Sequence, residues 1–172
     1  MSWLSAKPQP QIIKLAGSYF LLLILITHFF SGVTAAIIDI KYPFSASKDV
    51  FKYLKMEKKV DKVLAGDKDY AITSIAGYLN KEIYYPRKGD FGTFIIWNIE
   101  RNKEYDDDDI LKNIFLEFNE VKKDGILIFN YELKDNLVSK YNLKKIKEFQ
   151  ESIVWDEKFY LYLIEFPLKM EG

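Results

Sequence analysis

The longest apolar run in the chain, LAGSYFLLLILITHFFSGVTAAII at residues 15–38, lies between Lys14 and Asp39 and holds no formal charge. As a helix it would extend about 36 Å at 1.5 Å per residue, enough to cross a bilayer core about 30 Å thick. Its thirteen Leu, Ile, Phe and Val residues favour insertion by about 6 kcal/mol together, against smaller costs from Ser18, Thr27, His28, Ser31 and Thr34. A membrane span is the expectation. Val33-Thr34-Ala35 also has the character of a signal-peptidase site, with Lys7 and Lys14 as a positive leader, so a cleaved signal peptide is the alternative. The apolar run continues past that point through Ile37 and Ile38, which weighs against cleavage. A fully buried core helix is disfavoured, because 24 uncharged residues exceed what a domain of this size encloses. His28 sits in mid-span, where an ionisable group is a functional candidate by default. The simpler reading is a neutral imidazole hydrogen-bonded to a neighbouring helix or a lipid carbonyl.

After the run the pattern shortens. Pro43 disfavours helix at Tyr42 and marks a boundary. From Ser47, Val50, Phe51 and Leu54 share one helical face, with Lys48, Lys52, Lys55 and Lys58 elsewhere. Lys62 to Ala65 reads as a strand, Ile72 to Leu79 as a helix and Glu82 to Tyr85 as a second strand, a βαβ unit whose right-handed crossover makes its strands parallel. Phe91 to Ile99, FGTFIIWNI, is apolar on both faces and is the expected sheet centre. Asp106 to Asp109 precede Ile110, Leu111, Ile114, Phe115 and Phe118 at helical spacing, so four acids stand where helix N–H groups and the dipole favour negative charge. Asp124-Gly125 leads into a buried strand, Ile126 to Phe129, and Asp135 to Tyr141 reads as a short helix. Ile146 to Val154 and Phe159 to Phe166 are expected to form an antiparallel hairpin turning near Asp156-Glu157. The fold class is α/β: one N-terminal transmembrane helix, then a mostly parallel sheet with packed helices and a C-terminal antiparallel hairpin.

Charge and composition narrow the function. Twenty-five basic residues balance 25 acidic ones, so no overall field recruits nucleic acid. There is no cysteine, which removes thiol catalysis, thiolate metal sites and disulfides together. The only histidine lies in the apolar run, so a Ser/His/Asp arrangement is not available. Lys41, Lys48, Lys52 and Lys55 after the span outnumber Lys7 and Lys14 before it, but long domains translocate largely regardless of such charges.

The chemistry that remains sits at strand ends, where open α/β sheets bind ligands. Asp67-Lys68-Asp69 could share a divalent cation and a diphosphate between two hard carboxylates. Against this, Lys68 competes for the carboxylates and Asp69 is well placed to cap the next helix. Gly66 alone does not make a glycine-rich phosphate cradle. The tetra-aspartate lacks the spacing of a calcium loop. Tyr84, Tyr85, Trp97 and Trp155 offer aromatic faces for a sugar, and core or membrane-interface positions are the competing assignment. No metal and no cofactor are assigned.

Three segments, YPFSASKDVFKYLK after the span, VLAGDKDYAITSIAGYLNKEIYYP and FGTFIIWNIER, together resemble the C-terminal end of bacterial membrane glycosyltransferases of the GT-C class. The similarity covers roughly Lys41 to Arg101. Those polytopic enzymes use polyprenyl-phosphate-linked sugars, and many end in a soluble α/β domain outside the cytoplasmic membrane. The resemblance implies a cytoplasmic segment 1–14, a span 15–38 and an extracytoplasmic α/β domain 39–172, placed in the cell membrane as a single-pass protein. It corresponds to a last span plus tail domain, either a truncated reading frame or a separately encoded part. The family's essential acids lie in the first external loop; here Asp39 is followed by Ile40 and Lys41 and the paired-acid pattern is absent, so no catalytic residue carries over. The residues assigned to substrate contact are Asp67, Asp69, Tyr85, Trp97 and Arg101. The expected partners are the lipid bilayer, other membrane helices of a glycosyltransferase, and a glycan or lipid-linked sugar, with no nucleic acid. Two rivals stand beside this: an independent single-span binding or scaffolding protein of the cell envelope, and a small secreted enzyme using the Asp67/Asp69 turn.

Overall fold

The computed structural model describes residues 11–94 and 105–167 of the 172-residue chain. The chain divides between Tyr42 and Pro43 into two compact units, an N-terminal helix and a globular head.

Helix α1 (Gln11–Lys41) is 31 residues, about 46 Å at 1.5 Å per residue. Within it, Leu15–Lys41 is the one stretch among the described residues long and apolar enough to cross a membrane, and none of its apolar window is buried by protein. That excludes the core-helix reading. Its polar side chains bond back to its own backbone: Thr27 Oγ1 donates to Leu23 O and His28 Nδ1 to Ile24 O, both at 2.9 Å. The i−4 carbonyl is the nearest acceptor on a helix surface, so one ring nitrogen of His28 is satisfied within its own helix.

The head opens with α2 (Ser47–Met56), whose Val50 and Leu54 are buried while its lysines face outward. Strand β1 (Val63–Gly66), helix α3 (Asp69–Leu79) and strand β2 (Ile83–Tyr85) follow, and β1 and β2 run parallel with Ala65 opposite Tyr84. A turn over residues 86–89 leads to β3 (Asp90–Gly92), then α4 (Asp107–Val121), β4 (Gly125–Phe129), α5 (Asp135–Lys140), β5 (Lys144–Phe149) and β6 (Phe159–Ile164). The six strands form one sheet in the order β3-β2-β1-β4-β6-β5.

This sheet is mixed rather than mostly parallel. Of its five pairings, β1 with β2 and β1 with β4 are parallel, and the other three are antiparallel. The expected centre is also displaced. Asp90–Gly92 lies at the sheet edge, antiparallel to β2, because a four-residue turn can only return the chain alongside the strand it has left; residues 95–99 lie outside the described residues. The centre belongs to β1 and β4, and all five residues of β4, GILIF, are buried. The C-terminal hairpin is real, but β5 ends at Phe149 and nine residues precede β6, with a turn in which Glu157 N donates to Val154 O at 3.2 Å. Edge strand β5 carries Lys144, Lys145 and Lys147, charges that discourage edge-to-edge pairing.

Period-two alternation splits the core across the sheet. Leu64, Ile83, Tyr85, Ile126, Ile128, Phe159 and Leu161 face α2 and α3, packing with Val50, Leu54, Ile72 and Ile75. Ala65, Tyr84, Leu127, Phe129, Tyr162 and Ile164 face α4 and α5, packing with Ile110, Leu111, Ile114, Phe115 and Phe118. The head is therefore a three-layer sandwich. Two glycines record how close the layers come: a Cβ on Gly66 would stand 2.9 Å from the Ile72 side chain of α3, and one on Gly125 would stand 2.5 Å from the Phe118 ring. The acidic run starts α4 as its spacing requires, with the Asp106 carboxylate accepting from Asp109 N at 2.8 Å.

Candidate functional site

Strands β1 and β4 lie side by side and parallel, and the chain leaves them in opposite senses, β1 toward β2 through α3 and β4 toward α5. Their carboxyl ends thus frame the crevice where such sheets take ligands. Asp67, one residue past β1, continues the ladder by donating its N–H to Ile128 O at 3.3 Å. The residue is 1% exposed.

A buried carboxylate needs partners, and Asp67 has three hydrogen bonds. Arg87 Nε donates to Oδ1 at 2.6 Å and Arg87 Nη2 to Oδ2 at 3.0 Å, a forked pair in which both planar groups match. Tyr131 Oη donates to Oδ2 at 2.9 Å. Arg87 is positioned by the β2–β3 turn, which Lys88 N and Gly89 N close on Tyr85 O and which Asn113 Nδ2 fastens to α4 through Pro86 O at 3.2 Å. Tyr131 comes from the chain just past β4, between the Phe129 ring and the ammonium of Lys68, which lies 5.7 Å from its ring centre. Burial, followed by the charge of Asp67, raises the Tyr131 hydroxyl far above the usual phenol range, so it remains a donor. Donating to Asp67 raises the Arg87 guanidinium in turn. Three segments, the ends of β1 and β4 and the β2–β3 turn, are tied at one carboxylate.

The strand-to-helix corner is sharp. Lys68 takes left-handed backbone, φ 55°, and its carbonyl starts α3 by accepting from Ala71 N and Ile72 N. Asp69 is inside the first turn of α3 rather than ahead of it, with Oδ1 accepting from Tyr70 N at 2.8 Å. Beside them, Asn130 Nδ2 donates to Asp156 O at 2.9 Å. Its Oδ1 is buried without a protein partner.

Of the residues expected to contact substrate, Asp67 is sealed in this network and Asp69 lies at its rim. Tyr85 is 3% exposed and faces the α3 side of the core, its hydroxyl 3.5 Å from Thr73 Oγ1. Burial raises that hydroxyl above its ordinary value. Trp97 and Arg101 lie outside the described residues. Sequence reasoning missed Arg87, Tyr131 and Asn130, which lie 20 to 64 residues from their partners in the chain and carry no local motif. Among the described residues no group of three or more His, Asp or Glu side chains is arranged to hold a metal ion. A shallow cleft of about 460 Å³, bordered by Asp61, Lys81, Glu82 and Lys123, opens at the amino ends of β1 and β2, where Lys81 donates to Val60 O and Lys62 O.

The arrangement braces rather than reacts. Using Asp67 as a base, nucleophile or metal ligand would require breaking the Arg87 fork and leaving a guanidinium half out of water. Compared with protein-family models, curated proteins and solved structures, the chain matches none.

Proposed function

We propose that this chain is a membrane-anchored head module of glycosyltransferase type, without catalysis of its own, contributing acceptor contact or assembly in the glycosylation of envelope glycans or lipids. The head stands on the extracytoplasmic side in this reading. The observation that carries it is the sealed Asp67 carboxylate: the acid best placed by topology for chemistry is committed to Arg87 and Tyr131. A lipid-linked sugar also needs a cavity between several membrane helices, and the one such helix among the described residues encloses none by itself. The resemblance of residues 41–101 to glycosyltransferase tail domains supplies the reaction class.

Two measurements test the proposal. The full chain, reconstituted in bilayers with a polyprenyl-phosphate sugar and an acceptor, should form no product, and should raise transfer when added to a multi-span transferase that uses the same donor. Turnover by the chain alone would overturn it. Because the sequence has no cysteine, Ser139→Cys, on an exposed face of α5, gives a single label; a membrane-impermeant reagent should reach it in intact cells. Labelling only after lysis would place the head inside and end the assignment.

A further inference from the structure

The nine residues between β5 and β6 are attached to the first residues of the head by four hydrogen bonds. Ile153 N donates to Pro43 O at 3.0 Å and Ala46 N to Glu157 O at 3.0 Å. Ser152 Oγ donates to Phe44 O, and Ser45 Oγ to Glu157 Oε2, both at 2.6 Å. The two segments are 112 residues apart in sequence at the Ser45–Glu157 contact, yet they form one ledge.

That ledge exposes three large apolar residues. Phe44 is 62% exposed, Ile153 56% and Trp155 74%, and Trp155 occupies the tip of the turn closed by Glu157 N on Val154 O. A single exposed Leu needs no explanation, but an aromatic pair and an isoleucine on one hydrogen-bonded ledge do. The covalent chain says what is within reach. Phe44 follows Lys41, the last residue of the apolar helix, by three chain positions, at most about 11 Å of extended chain. Headgroup layers are about 5–8 Å thick on each side of the hydrocarbon. Trp is also the side chain that favours this layer, with its ring in the acyl boundary and its N–H in the wet zone.

We propose that the Phe44–Ile153–Trp155 ledge is a second membrane contact, inserted into the lipid interface beside the point where α1 leaves the bilayer. The occupant is the lipid interface itself. This inference rests on α1 being a span.

The test uses the full chain in phosphatidylcholine nanodiscs, with one nitroxide at Ile153→Cys, Leu116→Cys or Phe30→Cys in three separate preparations. Leu116 is 67% exposed on α4 and Phe30 lies within α1. Collisions with oxygen relative to a water-soluble nickel complex should be several-fold more frequent at position 153 than at 116, with position 30 higher still. Equal values at 153 and 116, with 30 in lipid, would overturn the ledge and leave the span intact. Water access at position 30 would overturn both. Protection of 153 from both reagents would mean that protein, a partner or a second copy, covers the ledge, and would overturn the proposal as well.

Discussion

Arg87 holds Asp67 in a fork, Nε to Oδ1 at 2.6 Å and Nη2 to Oδ2 at 3.0 Å, around a carboxylate with no exposed side-chain surface. The pair joins the end of β1 to the turn after β2. Its value lies less in attraction than in what its loss would leave behind.

Arg87→Ala should destabilise the head by about 3 kcal/mol, the low end for breaking a buried pair, since the Arg87 side chain is 30% exposed and water can enter. Arg87→Lys should recover little of this, because an ammonium cannot make the fork. Asp67→Asn combined with Arg87→Ala should be milder than Arg87→Ala alone, as no charge is then stranded. Urea unfolding of the full chain in micelles, followed by near-ultraviolet circular dichroism, reads all three; an additive double variant would contradict the coupling.

Two glycines predict opposite signs. At Gly66 a methyl group would stand 2.8 Å from Ile128 O, which cannot move without disturbing the β1–β4 ladder, so Gly66→Ala should cost about 1–3 kcal/mol. At Gly77, in α3, nothing lies within 4 Å, and Gly77→Ala should stabilise by about 0.5–1 kcal/mol through helix propensity and a less floppy unfolded chain. Thermal midpoints moving in the same direction would refute the comparison.

Acid should loosen α4 from α5. Asp108 accepts from Lys140 Nζ at 2.7 Å and Tyr141 Oη at 2.8 Å and pairs with Lys112 at 2.9 Å. Those hydrogen bonds, the one from Lys140 first, hold its carboxyl well below the usual carboxylate range. A carboxyl depressed in the folded state adds stability that is complete above its unfolded value of about 3.9 and fades as pH falls below it toward the folded value. Stability should therefore drop between about pH 5 and pH 2, and Asp108→Asn should flatten part of that fall while lowering stability at pH 7. Parallel curves for the two proteins would remove Asp108 from the explanation.

At the other end of the acidic run, Asp106→Ala removes the acceptor for Asp109 N and should cost about 1 kcal/mol, whereas Asp106→Asn or Asp106→Ser should cost a few tenths. Equal losses for all three would show that the side-chain cap contributes nothing.

Local pattern made much of this protein legible. Twenty-four uncharged residues dictate an apolar helix whatever surrounds them. The small-residue helix between two short apolar strands dictates β1–α3–β2, and Asp106 announces α4, because capping, amphipathic spacing and turn chemistry act over a few residues. The sheet centre was not legible in the same way. FGTFIIWNI is as apolar as GILIF, yet the turn at 86–89 sends its first residues back along β2 to the edge, and β4 takes the place beside β1. Hydrophobicity says that a strand is covered, and pairing decides by what.

The candidate site divides in the same way. Composition by itself determined that no cysteine or second histidine is available for catalysis, and the chain's own order placed Asp67 after a buried strand. Only the tertiary structure decided that Arg87 and Tyr131 close on that carboxylate, and that Phe44 and Trp155 share one ledge. Helix and strand follow from neighbours within a turn or two, whereas a forked ion pair or a surface patch depends on where separate segments meet, and only the closed three-layer packing brings them together.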